Sequence, residues 1–183
     1  MSTIATQEQI QEWKDKYGGV YKLPVDDKVA YLREPKMQDF KRAFAVMQSD
    51  GDLAFGEELI KVLFIDGDEE IKTDDEYFLP ARKKMVKFFT YEDAEIEKKG
   101  SKFIITIGDA KCTVRIIGRE DIKIAERKNP SGKAFVTQEK LFERICVEKD
   151  EAFNDKNNSA IRFPLYQAIE ELQNKRVASL EKL

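Results

Sequence analysis

The sequence predicts an α+β protein made of two tandem repeats, each a β-hairpin followed by about three helices. Three observations predict this. Apolar residues alternate on either side of a short polar turn twice, once near residues 21–31 and again near 103–116. Each of these stretches is followed by segments whose apolar residues recur at helical spacing. The order of elements (hairpin, helix, turn, helix, loop, helix) is the same in both halves. The units are placed at residues 1–98, with an additional N-terminal helix, and 99–183, a diverged second copy.

Ile10, Trp13 and Tyr17 lie on one face of an N-terminal amphipathic helix that Gly18-Gly19 ends. In "VYKLPVDDKVAYLR", Tyr21, Leu23 and Val25 alternate with Lys22 and Pro24, Asp26-Asp27 form the turn, and Val29 and Tyr31 continue the alternation. Pro24 gives this hairpin an edge strand, because proline has no N–H for a ladder. Met37, Phe40, Phe44 and Met47 predict the next helix, and "SDGD" interrupts it. Phe55, Leu59, Val62 and Leu63 predict a second. Phe78, Ala81, Met85, Phe88 and Phe89 predict a third, with Pro80 expected in its first turn, where a missing N–H is harmless.

In the second half Phe103, Ile105 and Ile107 are expected to face Cys112, Val114 and Ile116 across a "GDAK" turn. "GREDIKIAERKN", "TQEKLFERICVE" and "IRFPLYQAIEEL" read as helices, and Val177, Leu180 and Leu183 extend the last of them. The halves align at an offset of about 83 in the hairpins, with Lys28–Tyr31 over Lys111–Val114. Asp39-Phe40 falls on Asp121-Ile122, Leu59 on Leu141, Asp68-Glu69 on Asp150-Glu151, and Pro80 on Pro164.

Composition narrows the function. The apolar share of 42% supports a core, while 35 acidic and 32 basic residues give a net charge of −3 with no basic block. That argues against a dedicated nucleic-acid binder, which concentrates positive charge. No apolar signal core or membrane-length run occurs, so a soluble protein is expected. Cys112 and Cys146 are far apart in sequence, form no CxxC pair and sit in apolar patterns, as buried reduced thiols of a cytosolic protein do.

The acidic stretch "IDGDEEIKTDDE" resembles a calcium loop only in composition. Counting from Asp66, Ile71 occupies the position that needs Gly and Tyr77 the one that needs a bidentate Glu. The neighbouring "DGDLAFGEEL" fails at Leu53 and Leu59. The expected role is structural, with Thr73 or Asp74 capping the third helix. There is no histidine, which excludes Ser-His-Asp, Cys-His and imidazole-zinc chemistry. "SGK" near residue 132 lacks the strand and second glycine of a phosphate loop. No catalytic residue, cofactor or metal is therefore expected. "ARKKMVKFF" sets Arg82, Lys83, Lys84 and Lys87 around an apolar stripe, as a solvated helix face does; partner or nucleic-acid contact is the alternative.

"WKDKYGGVYKLPVDDKVAYLREP" followed by a helix and "GDEEIKTDDEYFL" resembles small structural or assembly proteins of tailed phages, the crAss-like group among them. The resemblance covers roughly Trp13 to Lys98, and the second half lacks the acidic signature. The hairpin-then-helices layout is also similar to phage tail-assembly chaperones, as an analogy of architecture. The resemblance implies a virion component or assembly chaperone that meets other phage proteins (capsid, connector or tail). It would work in the host cytoplasm during assembly or in the virion, away from membranes, with oligomerisation allowed. Trp13, Tyr17, Tyr21 and Tyr31 are the candidate contact residues, because aromatic side chains dominate interfaces. For Trp13 and Tyr17, docking of the first helix on its own hairpin is the competing role. A host-directed module that uses the acidic loop Asp66–Asp75 to inhibit a basic host surface is the alternative function.

Overall fold

The computed structural model describes residues 4–174, in an α+β architecture of eight α-helices and two antiparallel sheets among those residues. The chain divides into two compact units, Met1–Thr90 and Tyr91–Leu183.

In the first unit, helix α1 (Gln7–Tyr17) starts with a capping box. The Thr6 hydroxyl accepts from the Gln9 N–H at 3.2 Å, and the Gln9 side chain accepts from the Thr6 N–H at 2.8 Å. Strands β1 (Val20–Val25) and β2 (Lys28–Arg33) form the expected hairpin, with Val25 opposite Lys28 and Asp26 left-handed at φ 53°. Helices α2 (Met37–Asp50) and α3 (Asp52–Leu63) meet at Gly51. A short strand β3 (Phe64–Gly67) then pairs with β2, giving the order β1-β2-β3. Helices α4 (Glu70–Thr73) and α5 (Asp75–Arg82) and a 3-10 turn (Met85–Phe89) complete the unit.

The third helix differs from expectation. It breaks after Arg82, and Pro80 lies in the interior of α5 rather than its first turn. Pro80 cannot donate to the Glu76 carbonyl, so the helix ends soon afterwards and continues only as 3-10 structure. Ala30, Phe40, Ala43, Leu59, Leu63, Ile71 and Ala81 have no exposed surface and form the core. The opposite face of the sheet is covered by α1, where the Trp13 and Tyr31 rings meet at a tilt with centroids 5.3 Å apart and the Tyr31 hydroxyl accepts from the Ala5 N–H at 3.0 Å. Central strand β2 is consequently buried on both sides from Val29 to Leu32.

In the second unit, β4 (Glu95–Lys99), β5 (Lys102–Ile107), β6 (Ala110–Arg115) and β7 (Cys146–Lys149) form one sheet in the order β4-β5-β6-β7. The expected boundary at residue 98 falls inside β4, which is tied to β5 by pairs from Glu95 opposite Thr106 to Lys99 opposite Lys102. Helices α6 (Arg119–Arg127), α7 (Val136–Ile145) and α8 (Ser159–Gln173) and a 3-10 turn (Glu151–Phe153) surround it. Phe103, Ile105, Ile107, Cys112 and Val114 are buried, with half-buried residues between them.

Two expectations are corrected here. Ile116 lies beyond β6 and is 54% exposed rather than paired. "TQEKLFERICVE" is helical only to Ile145; Cys146 to Glu148 belong to β7. The cysteines, distant in sequence, lie on the adjacent strands β6 and β7 as free thiols, Cys112 buried and Cys146 half-buried. Burial pushes the Cys112 thiol up to about 12 and also raises Cys146, so neither is a ready nucleophile at neutral pH.

No helix among the described residues is long and apolar enough to cross a membrane. Val177, Leu180 and Leu183 lie outside the described residues.

Candidate functional site

The carboxylates of the acidic stretch have internal tasks. The Asp68 carboxylate accepts from the Val29 N–H at 2.8 Å, and the Asp68 N–H donates to the Val29 carbonyl at 2.8 Å, which latches the end of β3 onto β2. Glu70 pairs with Lys28 at 2.9 Å and Glu69 with Lys72 at 2.7 Å. Asp74, one of the two expected caps, accepts from the Glu76 N–H at 2.9 Å and starts α5. Among the described residues no three acidic or cysteine side chains group as a metal site would require.

The second unit contains the same latch: the Lys111 N–H donates to the Asp150 carboxylate at 2.7 Å, and the Asp150 N–H to the Lys111 carbonyl at 3.0 Å. A second device also occurs in both. Arg33 grips Asp39 with two N–H groups at 2.7 and 2.8 Å, and Asp39 accepts from the Lys36 N–H at 2.9 Å. Arg115 grips Asp121 at 2.6 and 2.7 Å, and Asp121 accepts from the Gly118 N–H at 3.0 Å. Such bidentate pairs fix a strand end against the first turn of the following helix. Arg115, the Gly118 amide and Arg144 together hold the Asp121 carboxyl well below the usual carboxylate range.

The interval between these devices is 82, from Asp39 to Asp121 and from Val29 to Lys111. The hairpin turns and the irregularities at Tyr31/Leu32 and Thr113/Val114 keep that interval. The offset expected for the hairpins was one residue too long, so Val29, not Lys28, corresponds to Lys111. With β2 buried on both faces, its apolar run has no alternation to fix the register.

Having used these acids internally, the first unit leaves an open strand edge beside a cationic groove. β1 is at the end of its sheet. Because Val25 opposite Lys28 closes a two-residue turn, Tyr21, Leu23 and Val25 bond to β2, and Val20, Lys22 and Pro24 turn their backbone groups outward. Alongside lies a groove of about 310 Å³ between β1 and the Met85–Phe89 turn. Leu23, Met85 and Phe88 give it an apolar floor, and Tyr21 meets Phe88 edge-on at 4.9 Å. Lys22, Lys84 and Lys87 line it, are exposed, and have no carboxylate within ion-pair distance among the described residues. Burial, with Glu34 nearby, raises the Tyr21 phenol above its ordinary value.

Of the four aromatic residues expected to make contact, Tyr21 is the one on this groove, 44% exposed. Trp13 and Tyr17 are half-buried, and Tyr31 is 2% exposed beneath α1, where it seats that helix. Sequence reasoning did not join Lys84, Met85, Lys87 and Phe88 to β1. Their signal was the cationic run "ARKKMVKFF", but the pairing with a strand some sixty residues earlier is tertiary.

The second unit also has a charged hollow, about 520 Å³, beside Phe142, Cys146, Lys156 and Arg162. Arg162, Lys156 and Glu143 there are engaged internally. Arg162, 2% exposed, donates to the Phe153 carbonyl and to the Asp155 carbonyl at 3.3 Å, and it lies over the Phe142 ring at 5.5 Å. Lys156 meets Glu143 at 2.6 Å. This cluster ties the 3-10 turn to α8.

No protein-family model, curated protein or solved structure matches the chain.

Proposed function

We propose that the protein is a non-enzymatic binding module of a tailed phage, a virion component or an assembly chaperone, and that it works by protein–protein contact. Its two units are diverged copies of one sheet-and-helix design. The constant interval of 82 through the Asp latch, the Arg–Asp clamp and the strand irregularity supports common descent of the units. The phage assignment rests on the resemblance over Trp13 to Lys98.

The observation that carries the contact reading is the asymmetry of the sheet edges. β5 is covered by β4, whereas β1 is open and flanked by an apolar groove with three lysines that have no ion-pair partner among the described residues. An uncovered edge with a pocket beside it is a site for another chain. The acidic loop is less suited to grip a host surface, because Asp68, Glu69, Glu70 and Asp74 are engaged within the chain.

The test is affinity capture with the tagged full chain during infection, alongside mass spectrometry of purified particles. A virion component appears in the particles at stoichiometric copy number. A chaperone is absent from them and captures a tail protein. Absence from both overturns the reading.

A further inference from the structure

Resting on the contact reading, we propose that the β1 groove receives an extended acidic segment of a partner protein as an added antiparallel strand. One apolar side chain would lie opposite Leu23, and carboxylates would meet Lys22, Lys84 and Lys87.

The second unit shows how such an edge is filled. There β4 lies antiparallel along β5, with Glu97 opposite Ile104, half-buried Ile96 opposite Ile105, and Glu95 opposite Thr106. At the interval of 82 those β5 residues correspond to Lys22, Leu23 and Pro24. A segment in the place of β4 would thus set an apolar residue opposite Leu23 and an acid opposite Lys22, a favourable cross-strand pair. The residue opposite Tyr21 shares the core face with the groove, where Lys84 and Lys87 stand. In β4 that place is taken by Lys98; in a partner it would be an acid.

The backbone contributes as well. Val20 and Lys22 offer N–H and C=O groups, and Pro24 offers its carbonyl alone. Pro24 thereby removes one ladder bond at its end of the edge and hinders uncontrolled edge-to-edge pairing of copies, a common protection of exposed edges. The occupant inferred is accordingly an acidic partner segment, since two β1 edges would bring lysines together.

The test titrates the full chain with a fluorescein-labelled peptide, Thr-Glu-Ile-Glu-Glu-Thr, against a control with Lys in place of each Glu. The acidic peptide should bind at least about tenfold more tightly at low salt, the expected scale for charge-complementary contacts. The double variant Lys84→Ala, Lys87→Ala should lose about tenfold in affinity and stay folded by circular dichroism, since both side chains are exposed. Pro24→Thr, which restores the donor present at Thr106, should tighten binding. Amide exchange at Lys22 should slow in the complex. Equal affinity for the two peptides, unchanged Lys22 exchange, or self-association of copies through β1 in place of peptide binding would overturn the proposal. Capture of a phage partner that the acidic peptide does not displace would sink this inference alone and leave the contact reading standing.

Discussion

The two units use the same fastenings on differently finished sheets. In the first, α1 covers the outer face of the sheet and one edge is left open; in the second, that edge is covered by β4 and the face is partly exposed. The latch and clamp are what the two sheets hold in common, so they define the unit, while the covering elements differ. The difference is that one unit covers with its own chain an edge that the other leaves bare, and it is on that edge that the proposed contact is placed.

The comparison breaks most sharply at Gly67. With φ at 122°, a Cβ there would lie 2.3 Å from the Val29 carbonyl oxygen. Gly67→Ala should destabilise the first unit by about 3 kcal/mol or more through combined strain and clash. Its counterpart Lys149 already carries a side chain, so Lys149→Ala should stay within about 0.5 kcal/mol. Urea unfolding monitored by amide exchange in each unit separates the two outcomes.

The clamps come next. Asp121→Asn removes the carboxylate charge on which both Arg115 and Arg144 converge and should cost about 1.5–3 kcal/mol, the range for bonds to charged groups. Asp39→Asn, in a half-buried site with one arginine, should cost less. The pH dependence has a fixed sign. Asp121 is depressed when folded, so its contribution is complete above the ordinary carboxylate pKa of about 3.9 and is lost as pH falls toward the lower folded value. The stability gap between the parent and Asp121→Asn, followed by urea midpoints from pH 7 to pH 2, should therefore hold steady to about pH 4 and then narrow.

A smaller contrast tests the latches. Asp68 is buried and Asp150 exposed, so Asp68→Asn should cost about 1–3 kcal/mol and Asp150→Asn about 1 kcal/mol or less. Thermal unfolding measures both. The smallest effect concerns the hairpin turns: left-handed Asp26 stands where the second hairpin has left-handed Gly108. Asp26→Gly should stabilise by roughly 0.5–1 kcal/mol, the left-handed penalty being partly offset by the entropy of glycine. A shift in melting temperature reads it.

What was legible in the sequence follows from which forces are local. Both hairpins, Gly51 between two helices and the Asp74 cap were readable, because turns and caps are written in a few adjacent residues. The offset between Asp39 and Asp121 was readable too. Strands β3 and β7 were not: each has four residues, shows no alternation, and exists through pairing with β2 or β6 and the Asp68 or Asp150 latch. The register of β2 was obscured by burial on both faces. Strand β4 escaped notice because Glu-Ile-Glu-Lys-Lys carries one apolar residue and gains its place from β5. The groove was half legible: Tyr21 and the lysine run were each noted, but their meeting depends on where α5 ends.

The most direct test is native-state amide exchange on the free full chain, read at the outward-facing positions of the two corresponding strands. The account predicts that Val20 and Lys22 exchange fast, as unpaired edge amides do, while Ile104 and Thr106, held by β4, are protected. Equal protection at the four sites would contradict it.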